Sequence, residues 1–266
     1  MALIHTRSLS ETLLELPPDG ELLQQNHIFE PEYHQAIYVD ACNNAAGKPG
    51  AIMLGDPGLV TNYPYRGSQP DYADDENDPD SLEYEGLVLP DGTVLDDAKN
   101  GTVSTRPVCA LKSIAVRWGY VDLSSARSVS RSFHEKKKEK SGVVNGDLLI
   151  NSTGDGTIGR VAVYNEQFPA LVDGHITIVR LKNPKLAWYI AAYLLSKEGQ
   201  RQIYRYINGS SGQVEIYPQD IARLWIPLSD TSSMQIIGKK LEAACIKYRE
   251  FSKDIRQTLN MVESMS

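Results

Sequence analysis

Three glycines, Gly154, Gly156 and Gly159, stand in the order GxGxxG inside the stretch GDLLINSTGDGTIGRVAVYN, residues 146–165. In a dinucleotide site such glycines follow a strand and lead at once into a helix, whose N-terminus holds the pyrophosphate. Here the run after Gly159, from Arg160 to Tyr164, is β-rich. Asp173 lies 19 residues after Gly154, near the spacing of a ribose-binding acid, yet no helical pattern intervenes. The stretch therefore reads as a β-hairpin. Two readings of its tip stand side by side. It is a turn that only links strands, or it is a polar tip whose exposed Asn151, Ser152, Thr153, Asp155, Thr157 and Arg160 touch a ligand.

A second constellation lies just before it. The run RSVSRSFHEKKKEK carries Arg127, Arg131, Lys136, Lys137, Lys138 and Lys140 against Glu135 and Glu139. Such a run is a solvated loop or helix face, or a surface that tracks a phosphate backbone. Arg201, Arg205 and the NGSSGQ segment, with Ser210, Ser211 and Gln213, add donors. Arg, Asn and Gln present paired hydrogen-bonding groups that match base edges. Other motifs fall away. Asn62-Tyr63-Pro64-Tyr65 resembles the tetrapeptide with which amino-methyltransferases grip their target, but Tyr63 stands where a proline belongs, so it reads as a turn. Five histidines show no metal-ligand spacing, and His175 reads as structural or surface. Cys42, Cys109 and Cys245 form no CxxC pair, so buried thiols in a reducing, cytoplasmic setting are expected, and no metal site. No catalytic constellation is apparent.

The elements that position these residues read as follows. Residues 146–150, and the alternating pairs Val161 with Val163 and Ile176 with Ile178, are strands; Ile114 to Val121 reads as another. Leu87 to Leu95 reads as a hairpin turning at Pro90-Asp91-Gly92, and Tyr63 to Asp80 as a long exposed acidic loop. A helix starts after Asn183, its cap, with Pro184 at the first position. A second helical piece runs through Ile203, and Leu224 to Pro227 makes a short strand. The last segment repeats apolar residues at Met234, Ile237, Leu241, Ala244, Tyr248, Phe251, Ile255, Leu259 and Val262, in steps of three and four. That pattern predicts one long helix with a seam for a partner helix.

Charge is divided along the chain. Residues 1–100 hold 4 Lys and Arg against 19 Asp and Glu, a balance of −15; the remainder carries +8, and the whole −7. The basic portion suits a polyanion and the acidic front does not, so distribution outweighs the acidic mean. No apolar run of about 18 residues predicts a membrane span, and the first residues lack a secretory pattern.

Several blocks in order resemble the target-recognition domain of type I restriction-modification specificity subunits. They are Gly146 to Gly154, the Gly159-Arg160 turn with its strand, Trp188 to Ser196, Asn208 to Ser210, Ile221 to Pro227 and the final helix. Phe29 to His34 resembles an opening seen in some members. The similarity covers Ile114 to Ser266. It implies an α+β fold: a mixed, barrel-like β-sheet recognition domain with flanking helices over 1–230, carrying an acidic insertion near 63–80, then a coiled-coil spacer helix over 231–266. It implies a non-catalytic chain that reads a half-site of double-stranded DNA. Such a chain docks a methyltransferase subunit that carries S-adenosylmethionine, and a motor-nuclease subunit can join. The usual member has two recognition domains and two spacers; here there is one of each. The resemblance thus implies a half-subunit that pairs antiparallel with a second copy through the heptad helix. Met234 to Met265 would span roughly 48 Å, about 14 base pairs of B-DNA. Two other readings compete: a stand-alone DNA methyltransferase, and a protein-interaction module with an acidic, DNA-mimicking front.

Overall fold

The computed structural model describes residues 31–71, 108–129, 131–209 and 214–265. The hairpin expected at Leu87 to Leu95, Ser210, Ser211 and Gln213, and residues 72–80 of the acidic loop lie outside these. After a short turn at Pro31–His34 comes helix α1 (Ala36–Ala46), then strands β1 (Ile52–Met53), β2 (Tyr65–Arg66), β3 (Val108–Leu111) and β4 (Arg127–Val129). Helix α2 (Arg131–Ser141) precedes β5 (Gly142–Val143), β6 (Leu148–Asn151), β7 (Val161–Val163), β8 (Ala170–Val172) and β9 (Ile176–Val179). Helices α3 (Ala187–Leu195), α4 (Lys197–Arg205) and α5 (Pro218–Ala222), strand β10 (Trp225–Ile226) and helix α6 (Thr231–Glu263) complete the order.

Two four-stranded sheets form the centre. One runs β2-β9-β6-β7 and is antiparallel throughout; the other runs β4-β3-β8-β5, with β3 and β8 parallel. Alternate residues of β6 explain how they stack. Leu148 and Ile150 join a core shared with Ile190, Leu194 and Ile203 of the helices. Leu149, between them, joins a core shared with Cys109, Leu111 and Val172 of the second sheet. Both faces are covered, which is why β6 reads as an unbroken apolar run. The second sheet's outer face is closed by Phe133 of α2, over Val108, Ala110, Val129 and Leu171. The layers are therefore helices, sheet, sheet, helix. The sheets are open, and no barrel closes among the described residues; β2, β7, β4 and β5 remain as edges.

Much of the local reading holds. β6 and β7 are a hairpin, with Leu149 opposite Ala162. Asn183 caps the turn Pro184–Leu186, its side chain accepting from the Lys185 N–H at 3.2 Å. The three cysteines are buried and form no disulfide, and burial pushes the Cys109 thiol up to about 12. Three expectations are corrected. Ile114 to Val121 is not a strand; it is a short turn at Ser113–Ala115 and a single bridge between Val116 and Val121, because the chain reverses at Gly119. The segment from Tyr63 is not wholly loop: Tyr65 packs on the inter-sheet core and starts edge strand β2.

The third correction concerns α6. Met234, Gly238 and Cys245 are buried against the chain's own domain, and Leu241 packs on the core. Gly238 lets α6 approach α3 closely: a Cβ there would sit 3.2 Å from the Tyr189 backbone nitrogen. Tyr248 stacks on Tyr120 at 3.9 Å, and Arg249 pairs with the buried Glu166. Ile237 and Ala244, placed on the same partner-helix seam by the sequence pattern, are exposed. The helix has two apolar stripes: an inner one used by its first half, and an outer one of Ile237, Phe251, Ile255, Leu259 and Val262 that faces solvent.

Candidate nucleic-acid interface

The turn from Ser152 to Arg160 is built by glycines in a left-handed conformation. Gly154, Gly156 and Gly159 have φ of 89, 77 and 80°, which L side chains adopt only with strain. The turn is pinned from within: the Thr157 hydroxyl donates to the Thr153 carbonyl at 3.0 Å, and the Arg160 guanidinium donates to the Gly156 carbonyl at 2.8 Å. Its outermost residues, Asp155 and Gly156, are exposed.

Of the six tip residues expected to be exposed only Asp155 is; Thr153, Thr157 and Arg160 are half-buried, and the other two are corrected outright. Asn151 and Ser152 are fully buried. The Asn151 amide donates to the Ser113 carbonyl at 2.8 Å, and the Ser152 and Thr177 hydroxyls bond at 2.5 Å. The strand continues one residue further than its apolar letters, and both of its faces are covered. These two side chains hold the loop's base to the sheet.

A second segment anneals to the loop. Glu215 bridges to Thr153 on one side and to Asn208 on the other, so three chain segments lie side by side. The Gly154 N–H donates to Val214 and the Ile216 N–H to Ser152; Asn208 and Glu215 exchange both backbone bonds, at 2.7 and 2.8 Å. Around this ladder the side chains interlock. Arg66 of β2 pairs with the Glu215 carboxylate and donates to the Ile216 carbonyl at 2.8 Å, with its guanidinium 5.4 Å from the centre of the Tyr217 ring. The Thr153 hydroxyl and His175 Nδ1 lie 2.7 Å apart. Partial burial works against ionisation of Glu215, but the Arg66 guanidinium and the Tyr217 hydroxyl hold its carboxyl below the usual value. That bond to Glu215 in turn raises the Tyr217 phenol.

The basic run is mostly helix α2. Arg127 lies on β4, half-buried, and Arg131 opens the helix. Lys136, Lys137, Lys138 and Lys140 are exposed. Lys138 is held by Glu135 at 2.6 Å, which raises its own value and lowers that of Glu135. Lys137 sits 5.9 Å over the Phe133 ring. The end of this helix meets the loop cluster through β2. The Ser68 hydroxyl bonds the Ser141 hydroxyl at 2.5 Å, and Arg66, two residues earlier, reaches Glu215. Two residues of extended chain cover about 7 Å. The glycine loop, Asn208, residues 214–217 and the C-terminal end of α2 therefore share one edge of the molecule.

The remaining donors divide. Arg201 pairs with Glu198 at 2.8 Å on α4. Arg205 is buried, stacked 4.2 Å from the Tyr33 ring and bonded to the Tyr33 carbonyl, so its role is structural rather than that of a surface donor. Sequence reasoning did not select Arg66, Glu215 or Tyr217. Their separation of about 150 residues hides the meeting, and nothing local marks it. Among the described residues no group of three or more His, Cys, Asp or Glu side chains is arranged to hold a metal. Among them, too, no helix is long and apolar enough to cross a membrane.

No protein-family profile matches the chain, and no curated protein matches it. Solved structures do. The type IIG restriction endonuclease BpuSI superposes with a TM-score of 0.50 at 13% identity, over 79% of this chain and 28% of the endonuclease. A structure from work on the assembly and conformational transition of the type I restriction-modification system superposes with a TM-score of 0.39 at 12% identity, over 86% of this chain and 51% of that one. The chain thus shares its fold with a little over a quarter of a restriction endonuclease.

Proposed function

We propose that this chain is the DNA-recognition component of a restriction-modification system, a non-catalytic subunit that reads one half of a split site. The observation that carries the reading is the convergence on one edge of the glycine loop, the ladder through Glu215 and the lysine-bearing end of α2. Lysines outside a polar cluster divide the work as DNA readers do: cations position on phosphates, and side chains with fixed donors and acceptors specify bases. The fold shared with part of BpuSI, a restriction endonuclease, supports the same assignment. In this reading Thr153, Thr157 and Arg160 belong to the base-facing loop, and Lys136, Lys137 and Lys140 follow the backbone.

Helix α6 is the spacer. Its 33 residues extend about 50 Å. The outer stripe from Phe251 to Val262 pairs in a coiled coil with a second copy, giving two recognition domains and a palindromic split site. The methyltransferase subunit, which carries S-adenosylmethionine, docks on this assembly, and a motor-nuclease subunit completes it where cleavage follows.

The test is a titration of the purified full chain with a labelled random-sequence duplex, beside a calorimetric titration with S-adenosylmethionine. Salt-dependent DNA binding without cofactor binding is expected. Cofactor binding by the chain alone would overturn the non-catalytic assignment. No DNA binding at 50 mM salt would overturn the recognition role.

A further inference from the structure

Resting on the DNA-recognition reading, we propose that Glu215 identifies one base of the half-site by accepting a hydrogen bond from an exocyclic amino group, the N6 of adenine or the N4 of cytosine. The register of the ladder places it for this. Thr153 and Glu215 form a non-hydrogen-bonded antiparallel pair, whose Cα atoms lie about 4.5 Å apart; Glu215 and Asn208 form a hydrogen-bonded pair, at about 5.5 Å. Side chains directly opposite one another in such pairs share a face. Thr153, Glu215 and Asn208 therefore make a row about 10 Å long, equal to some three base-pair steps of 3.4 Å. Glu215 is its middle member and its acid.

An acid at the centre of a DNA-binding row needs a partner other than phosphate, which repels it. A carboxylate is an acceptor only. The donors that a duplex presents at its major-groove base edges are the amino groups of adenine and cytosine. Glu215 is prepared for such a donor. Arg66 and Tyr217 hold it in place, Arg66 also offsets its charge, and its side chain remains 31% exposed. Two bonds leave part of the carboxylate's roughly four acceptor positions open. Thr153, tied to His175, and Asn208, whose amide donates to the Tyr206 carbonyl at 3.0 Å, are fixed neighbours.

The experiment selects bound sequences from a randomised duplex pool with the full chain, Glu215→Ala and Glu215→Gln. Wild type is expected to prefer adenine or cytosine at one position. Glu215→Ala should lose about five-fold or more of that preference there and keep the others. Glu215→Gln, equal in size, should shift the position toward adenine, which a carboxamide pairs in two bonds. Replacing the selected adenine by purine, or cytosine by 2-pyrimidinone, deletes the amino group and tells the two bases apart. It should weaken wild type and leave Glu215→Ala unaffected. An unchanged preference in both variants, or a uniform loss over all sequences, would show that Glu215 only props Arg66, and would overturn the inference while recognition stands. A wild-type chain that binds no duplex overturns both.

Discussion

Replacing Lys136 and Lys140 by alanine should weaken DNA binding evenly over all sequences and flatten its dependence on salt. Helix geometry selects this pair. At about 100° per residue, Lys136 stands roughly 200° and Lys140 roughly 240° around α2 from the buried His134. Both therefore point away from the face of α2 that buries His134, and both are exposed. Lys138 lies near that face and is already held by Glu135 at 2.6 Å. Each phosphate contact adds about 0.9 to the slope of log affinity against log salt, so losing two removes about 1.8. Between 50 and 200 mM salt the advantage of wild type over the double variant should then shrink about 12-fold. Lys138→Ala alone should change the slope by less than about 0.9, because Glu135 already occupies its charge. Fluorescence anisotropy of a labelled duplex at four salt concentrations reads all of this. A double variant with the wild-type slope would remove α2 from the interface.

Other outcomes follow from burial and packing. Burial raises the Glu166 carboxyl above its usual value, against the opposing pull of Arg249, so the native state holds more protons than the unfolded chain just above the ordinary carboxyl range. Stability should therefore fall as pH rises through that window, relative to Glu166→Gln; parallel melting curves from pH 4.5 to 7 would contradict this. Gly238→Leu should drive a wedge between α6 and α3 and cost about 1–3 kcal/mol, read as a lower melting temperature; an unchanged melt would deny the close approach. Ile255→Asp, on the outer stripe and 49% exposed, should abolish self-association in light scattering without lowering the melting temperature. Leu241→Asp, packed on the core, should lower it. Asn151→Ala should cost about 1–3 kcal/mol by stranding the Ser113 carbonyl; an unaltered denaturation midpoint would argue against that role.

What the sequence disclosed was mostly local. The hairpin of β6 and β7 was legible because a β-rich run follows Gly159, and the turn Pro184–Leu186 that leads into α3 because Asn183 and Pro184 form a capping pair. Asn151 and Ser152 misled because polar letters ordinarily mark a strand's end. Here a second sheet covers the far face, and the polar pair is consumed inside. The seam of α6 was read as one stripe because Leu241 and Tyr248 lie on the boundary of two. The ladder through Glu215 was illegible for another reason. It joins residues 66, 153, 175, 208 and 215, and such a meeting belongs to tertiary geometry alone.

The unequal anchoring of α6 makes it a cantilever. Its root, from Met234 to Arg249, is clamped by Gly238, Tyr120 and Glu166, while in the 13 residues from Phe251 to Glu263 the described side chains other than Ser252 are exposed. That arm is about 20 Å long. A tilt of about 5° at the clamp moves its tip by roughly 1.7 Å, half the rise of one base pair. In the proposed dimer, the packing at Gly238, Tyr120 and Glu166 would thus set the tolerance with which two recognition domains are gauged against each other.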